Sequence, residues 1–332
     1  MAGASGPSKS TLQSLLTQLD EIESGPGGGA ITFPGGRLEV SNLGKTFWPS
    51  AGSKRTRPTL TKGDLFRHYV RVAPMILPVL ADRPLVMKRF PNGIAGSPFY
   101  QHRAPDKVPE GVRIERVTTG TETRPHLVGG SLTTLLYTAQ LGSISQDPWF
   151  SRVDTPNDID HIAIDLDPPE GLPYAQVLDV ARWVRDALDT LKATGFAKTS
   201  GAGGLHVYVP MPPGTPYASG LLFAQIVATL VAERHPKQAT IERSIKARGR
   251  RIYVDYMQNG LGKTLASAYS ARASEFAGVS TPITWEEVDE GVTPQDFTIA
   301  NFAQRITDAG DPWAGMRKAK GADLRALQSI KR

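Results

Sequence analysis

The chain of 332 residues contains no cysteine. That absence excludes disulfides, zinc–thiolate sites and cysteine nucleophiles, and makes a reducing cytoplasm the expected setting. No apolar run reaches membrane-spanning length and no secretory signal opens the chain, so neither a membrane anchor nor export is expected. The GxxxxGK[ST] spacing of a Walker loop is missing, and no internal repeat is visible. What remains is ordinary for a globular protein: 40% hydrophobic and 21% charged residues, enough for two domains or one large one. The 38 basic side chains outnumber the 32 acidic ones to leave a net charge of +6, which favours a polyanionic partner.

Residues 10–24 (STLQSLLTQLDEIES) put Leu12, Leu15, Leu16, Leu19 and Ile22 on one helical stripe, and the GPGGG run at 25–29 interrupts the chain. Residues 1–30 are therefore expected to form an amphipathic helix on a glycine-rich tether that docks on its own protein. Residues 31–315 are expected to form a continuous catalytic domain, followed by a basic tail at 316–332. Thr61 with Asp64 resembles a capping box and opens a helix, LTKGDLFRHYVRVAPMI; Ser131 caps another, LTTLLYTAQLG. Helical spacing recurs from Tyr174 to Thr194, with Gly195 as the expected stop, and again near 218–234. Strands alternate with these helices, and the short glycine connection at 201–204 predicts an antiparallel hairpin. The fold class is α/β or α+β, with mixed central sheets flanked by helices.

The stretch HIAIDLDPPEG at 161–171 alternates at period two, with Ile162, Ile164 and Leu166 on one face and Ala163, Asp165 and Asp167 on the other. Two neighbouring carboxylates repel unless one takes a proton or a cation lies between them. The plain alternative is an edge strand whose acidic face is open to water. TSGAGGLHVY at 199–208 places Gly201, Gly203 and Gly204 ahead of a strand histidine; such a turn lets backbone N–H groups face an anion while Ser200 and His206 donate to it. RIYVDYMQN at 251–259 carries one more mid-strand carboxylate, Asp255. Three carboxylates suit two metal ions that activate an attacking 3′ hydroxyl and stabilise a leaving pyrophosphate, and the basic KARGRR at 246–251 and Arg272 flank the third of them.

In that order, DLD, SGxxGLHxY, VDYxQN and AYSxR resemble the archaeo-eukaryotic primase superfamily, and within it the polymerase module of bacterial ligase D and its stand-alone mycobacterial Prim-PolC-type relatives. The likeness runs from about Leu38 into the 300s and includes SNLGKTFWP at 41–49, LTKGDLFRHY at 60–69 and KRFPNG at 88–93. It implies a primase-polymerase core in which Asp165, Asp167 and Asp255 hold metal and are catalytic. Ser200, Gly204, His206, Lys246, Arg248 and Arg272 would contact the nucleotide. Lys45 and Lys62 would hold a 5′ phosphate across a gap, with Lys54, Arg55 and Arg57 of the intervening SKRTR segment adding charge. Lys88, Arg89, Phe99 and Tyr100 would face the template. The implied activity is template-dependent gap filling in DNA repair with NTP or dNTP substrates, preferring ribonucleotides and Mn²⁺ over Mg²⁺. The implied setting is a monomer in the bacterial cytoplasm, associated with the nucleoid, acting on gapped or nicked DNA beside a separate ligase or other repair proteins.

Three departures accompany the resemblance. Ile144 and Gln146 stand where the family has a glutamate and a histidine, Gly203 replaces a lysine, and the segment between Lys45 and Lys62 is longer. No ligase or nuclease sequence follows Arg332, so end joining within one fused polypeptide is not expected. A de novo primase, a DNA-end-binding module with a vestigial site and a metal-dependent nuclease are the alternatives. The retained carboxylate triad opposes the second, and the triphosphate set opposes the third.

Overall fold

The computed structural model describes residues 6–25, 27–50 and 58–324, so Lys54, Arg55 and Arg57 lie outside the described residues. Two compact units account for the chain. The first comprises the residues up to Pro148 with Ala266–Ser280 and Phe297–Gly310; the second comprises Trp149–Leu265, Thr281–Asp296 and the residues from Asp311 onward.

The first unit begins with α1 (Lys9–Ser24), the hairpin β1 (Gly28–Phe33) and β2 (Gly36–Ser41), and the short pair β3 (Thr46–Trp48) and β4 (Leu60–Thr61). The capping box forms as the spacing requires. Asp64 N–H donates to the Thr61 hydroxyl, Asp64 Oδ2 accepts from Thr61 N–H at 2.7 Å, and α2 (Lys62–Leu80) follows. Its inward stripe of Leu65, Phe66, Tyr69, Val70, Ala73 and Ile76 is completely buried. The amphipathic first helix packs in cis against α2 and β1, with Leu15 and Leu19 fully enclosed. Gln18 locks it to the hairpin: its amide donates to Thr32 O at 3.0 Å and accepts from Thr32 N–H at 2.8 Å. The glycine tether is shorter than its composition suggests, because Gly28 and Gly29 already pair with Ser41 and Val40. The unit continues through β5 (Leu85–Arg89), β6 (Phe99–Gln101), the hairpin β7 (Ile114–Thr119) and β8 (Glu122–Leu127), α3 (Leu132–Gln140) and β9 (Asp147–Pro148). Ser131 caps α3 by accepting from Thr134 N–H. A helix at Phe302–Ala309 also belongs to this unit.

The second unit is organised by a six-stranded sheet in the order β12 (Phe196–Thr199), β13 (Leu205–Pro216), β11 (Thr155–Asp167), β15 (Ile252–Asp255) and β14 (Ala239–Thr240), with β10 (Ser151–Arg152) also on β11. All pairings are antiparallel except β14 with β15, so the sheet is mixed. The strand bearing Asp165 and Asp167 is central, which overturns the edge-strand alternative. Its Ile162, Ile164 and Leu166 are fully buried, each worth about 1.5–3 kcal/mol of transfer free energy. The helix α5 (Tyr217–Arg234) lies against β11, and Gly220 permits the approach: a Cβ there would fall 2.0 Å from Ile159 Cδ1. Ahead of it α4 (Tyr174–Thr190) ends four residues before the expected Thr194. Lys192 takes a left-handed φ of 54° and turns the chain away. Gly195 is instead a packing glycine, since a Cβ there would meet Leu188 Cδ1 at 2.7 Å. The short helices α6 (Ile245–Arg248) and α7 (Trp285–Glu290) complete the unit.

Candidate active site

Strand register assembles the second unit's polar centre. Lys198 on β12 is the cross-strand partner of His206 on β13, His206 of Asp165 on β11, and Asp165 of Asp255 on β15. Directly paired residues project to the same side of a sheet. The four side chains therefore form one row across four strands, about 14 Å from end to end at the usual strand spacing. Within it Lys198 Nζ lies 2.8 Å from His206 Nδ1, and His206 Nε2 lies 3.3 Å from Asp165 Oδ1. Asp167 sits two residues along β11, opposite Tyr253.

The carboxylates differ in surroundings. Asp255 is 8% exposed, and its oxygens accept from Met257 N–H at 2.7 Å and Gln258 Nε2 at 2.9 Å. Asp167 retains 61% of its side-chain surface in solvent, yet its carboxyl is pushed above the ordinary value. Crowding of its hydration by neighbouring atoms is the main cause, followed by the charge on Asp165, with a smaller contribution from Asp255. Arg248 offsets part of this by approaching Asp167 Oδ2 at 3.3 Å, while its guanidinium lies 3.8 Å over the Tyr253 ring. The Tyr253 hydroxyl is itself pushed up to about 12 by burial and then by the Asp255 charge.

Asn259 ties the third carboxylate to the strand. This fully buried side chain accepts from Ala163 N–H and donates to Ala163 O, both at 2.8 Å, so it continues the ladder where β15 leaves it at Asp255. Losing both bonds in a buried setting is expected to cost about 2–4 kcal/mol, so Asn259→Ala should lower the unfolding midpoint in urea by a corresponding amount. A midpoint equal to that of the parent would refute the ladder role.

The glycine turn lies beside this row. Gly201 takes a φ of 72°, and the Ser200 hydroxyl accepts from the N–H groups of Ala202 and Gly204 at 3.1 and 3.0 Å. Gly204 brings the turn onto the acidic strand, because a Cβ there would stand 2.5 Å from Leu166 O. Gly203 faces open space, so packing leaves room there for a longer side chain. Lys246 lies exposed on α6 in the same unit, whereas Arg272 belongs to the first unit, where its carbonyl accepts from Trp48 Nε1. Gln146, also in the first unit, is 2% exposed, and among the described residues its Nε2 meets no partner within ordinary hydrogen-bond geometry.

The first unit brings together two further sets of predicted residues. Lys62 is 5% exposed, and its ammonium donates to Ser41 O at 3.0 Å and Gln140 Oε1 at 2.9 Å. Burial, and secondarily the nearby charge of Lys45, lowers its pKa to about 8. Lys45 donates to Asn92 Oδ1 at 2.8 Å, and the two backbones are joined by Lys62 N–H donating to Lys45 O. On β5 and β6, Lys88 pairs in register with Tyr100 and Arg89 with Phe99. Each cation lies over its aromatic partner, at 5.5 Å and 5.1 Å from the ring centres. Both aromatics are open, Phe99 at 46% and Tyr100 at 62% exposure, an arrangement suited to stacking on bases.

A family model described as the LigD primase-polymerase domain matches residues 61–313. The chain belongs to that family. Among its relatives, the bifunctional non-homologous end joining protein LigD of Bacillus subtilis is 30% identical over 254 residues, covering 76% of this chain and 41% of that protein. The multifunctional LigD of Pseudomonas aeruginosa is 31% identical over 271 residues, covering 80% of this chain and 32% of that one. The chain thus spans about two-fifths or less of these curated relatives. The polymerase domain of Mycobacterium tuberculosis ligase D, solved in complex with DNA, superposes with a TM-score of 0.75 at 29% identity, covering 83% of this chain and 96% of that one. Membership of a LigD primase-polymerase family makes the chain an enzyme of the nucleotidyltransferase class. Among the described residues, no helix is long and apolar enough to cross a membrane.

Such a polymerase implies a divalent metal and a nucleoside triphosphate. Among the described residues no three His, Asp or Glu side chains form a ready-made metal cage. The fit lies in the donor chemistry. Asp165 faces Asp255 in register, both charges raise the pKa of Asp167, and Arg248 already brings positive charge to that carboxylate. Lys198 and Asn259 carry no signal in the residue pattern of the kind that exposed the aspartates. Asn259 lies inside the VDYxQN motif, but only the fold reveals what it holds.

Proposed function

We propose that this LigD-type primase-polymerase chain is a template-dependent nucleotidyltransferase that fills short gaps in DNA during repair, binds the downstream 5′ phosphate and prefers ribonucleotides. The observation that carries this reading is the register that lines His206, Asp165 and Asp255 across adjacent strands beside the Ser200–Gly204 turn. Asp165, Asp167 and Asp255 would hold the metal, with Mn²⁺ preferred to Mg²⁺. When bound, the metal would lower the pKa of an attacking 3′ hydroxyl and stabilise charge on the leaving pyrophosphate. The protein's own part is orientation and charge. The amides of the glycine turn, His206, Lys246, Arg248 and Arg272 would neutralise and align the triphosphate. Phe99 and Tyr100 would stack on template bases with Lys88 and Arg89 alongside, and Lys45 and Lys62, with Lys54, Arg55 and Arg57, would attract the 5′ phosphate. The reading assigns gapped or nicked DNA as the macromolecular substrate.

Primer extension on a 5′-phosphorylated gapped duplex, comparing NTP with dNTP and Mn²⁺ with Mg²⁺, tests the reading directly. Extension confined to phosphorylated gaps and faster with ribonucleotides supports it; priming on an unprimed single strand at a similar rate would favour de novo initiation instead. Within this scheme, His206→Ala and Arg272→Ala are expected to weaken nucleotide binding roughly 10- to 100-fold, the worth of one charged hydrogen bond, while changing affinity for gapped duplex far less. Parallel titrations with nucleotide and with DNA check this, and equal losses in both would move these residues to the DNA groove.

A further inference from the structure

Lys198 is the largest charged side chain of the sheet interior, with no exposed surface, and the proposed chemistry gives it no task. A buried ammonium is expensive to desolvate and persists where it meets partners. One of its partners is the His206 ring, at 2.8 Å from Nδ1, on the strand next door and in direct register. His206 is only 3% exposed, so both groups share one sheltered setting. A lysine ammonium has three N–H donors and no acceptor. Nδ1 must then act as the acceptor. The single ring proton is left on Nε2, the nitrogen that faces Asp165 Oδ1 at 3.3 Å.

We propose that Lys198 is a positioning residue that fixes His206 in the Nε2–H tautomer and in the plane that points this donor toward the Asp165 end of the row. The polarity is consistent along its length: Lys198 donates to Nδ1, and Nε2–H donates toward Asp165. This rests on the reading above only for the use of that donor, a hydrogen bond to a triphosphate oxygen; the tautomer itself is a property of the protein alone. Without Lys198 the donor that holds Nδ1 as an acceptor is lost, and the ring can carry its proton on either nitrogen. Nucleotide affinity would then fall by the fraction of rings in the wrong form and by the loss of orientation.

Long-range ¹H–¹⁵N correlation of the full chain labelled with ¹⁵N-histidine reads the tautomer, with His206→Gln used to assign the signal. The expected wild-type spectrum has a protonated Nε2 and an unprotonated Nδ1 at His206 near neutral pH, without nucleotide. A protonated Nδ1, in either the neutral or the doubly protonated ring, overturns the proposal, and this arm needs no variant to fold. In Lys198→Met the Nε2–H signature should give way to a mixture, nucleotide Kd should rise several-fold and gapped-duplex affinity should hold. Retention of the pure Nε2–H form in that variant also overturns it. Lys198→Gln, which keeps a donor on a shorter arm, should recover part of the signature, and failure to do so assigns Lys198 to packing alone. If ATP or GTP leaves the His206 signals unmoved while the wild-type tautomer is as expected, the nucleotide reading of His206 fails and the role of Lys198 stands.

Discussion

Asp165→Ala, Asp167→Ala and Asp255→Ala are each expected to reduce nucleotide addition by roughly a thousand-fold or more, since each removes a carboxylate from the proposed metal site. Binding of gapped duplex should survive, because none of the three carboxylates is assigned to phosphate backbone. Single-turnover extension beside a fluorescence binding titration separates the two effects; near-parental extension in any variant would remove that residue from the triad. Stability should move the other way. The Asp167 carboxyl is raised above its unfolded value, so the favourable protonated form is present at low pH and its contribution is lost as pH rises through the raised value. Metal-free Asp167→Asn should therefore lose less stability than the parent between acidic and neutral pH, a difference that thermal melts at a series of pH values would show.

The second large effect concerns Lys62. Its replacement by alanine is expected to erase most of the preference for phosphorylated over hydroxyl-ended gaps, worth about 1.5–3 kcal/mol or some 10- to 150-fold for one charged hydrogen bond. The pH dependence gives an independent check. With its pKa lowered from 10.5 to about 8, the ammonium is charged below that value and increasingly neutral above it. The second ionisation of a terminal phosphate is complete by then, at about pH 6. In the parent the preference should fall as pH rises through and beyond 8, displaced upward to the extent that bound phosphate restores the charge; in Lys62→Ala it should be flat. The same shift has an opposite signature in folding, because the unfolded chain holds more protons between 8 and 10.5 and this residue's contribution to stability grows with pH in that window. A parent whose phosphate preference is unchanged across that range would exclude Lys62 as the phosphate contact.

Local chemistry made much of this architecture readable in advance. The Thr61–Asp64 pair marks a helix start because both halves of a capping box lie within four residues, and the alternation around Asp165 marks a strand because the period is short. Long-range register has no such signature. Nothing in FAKTS announces that Lys198 faces His206, or that Asp255, ninety residues after Asp165, is its direct partner. Carboxylate chemistry suggested that the three aspartates work together, and resemblance to relatives gave each its role, but neither gave their register. Position along the chain also misleads in places: Gly195 reads as a helix stop and is instead a contact glycine, and Arg272 follows the Asp255 strand closely yet belongs to the other compact unit.

The docked first helix has a practical consequence. Arg67 on α2 is paired with both Asp20 and Glu23 of α1, and Glu23 also accepts from the Thr61 hydroxyl at 3.5 Å, one residue before Lys62. The end of the first helix is thus anchored at the start of the helix that carries this lysine. A fluorophore on the outward face of that helix would act as a reporter for events at Lys62, whereas a truncation or bulky fusion that dislodges it would disturb the same lysine without altering any residue of the aspartate row.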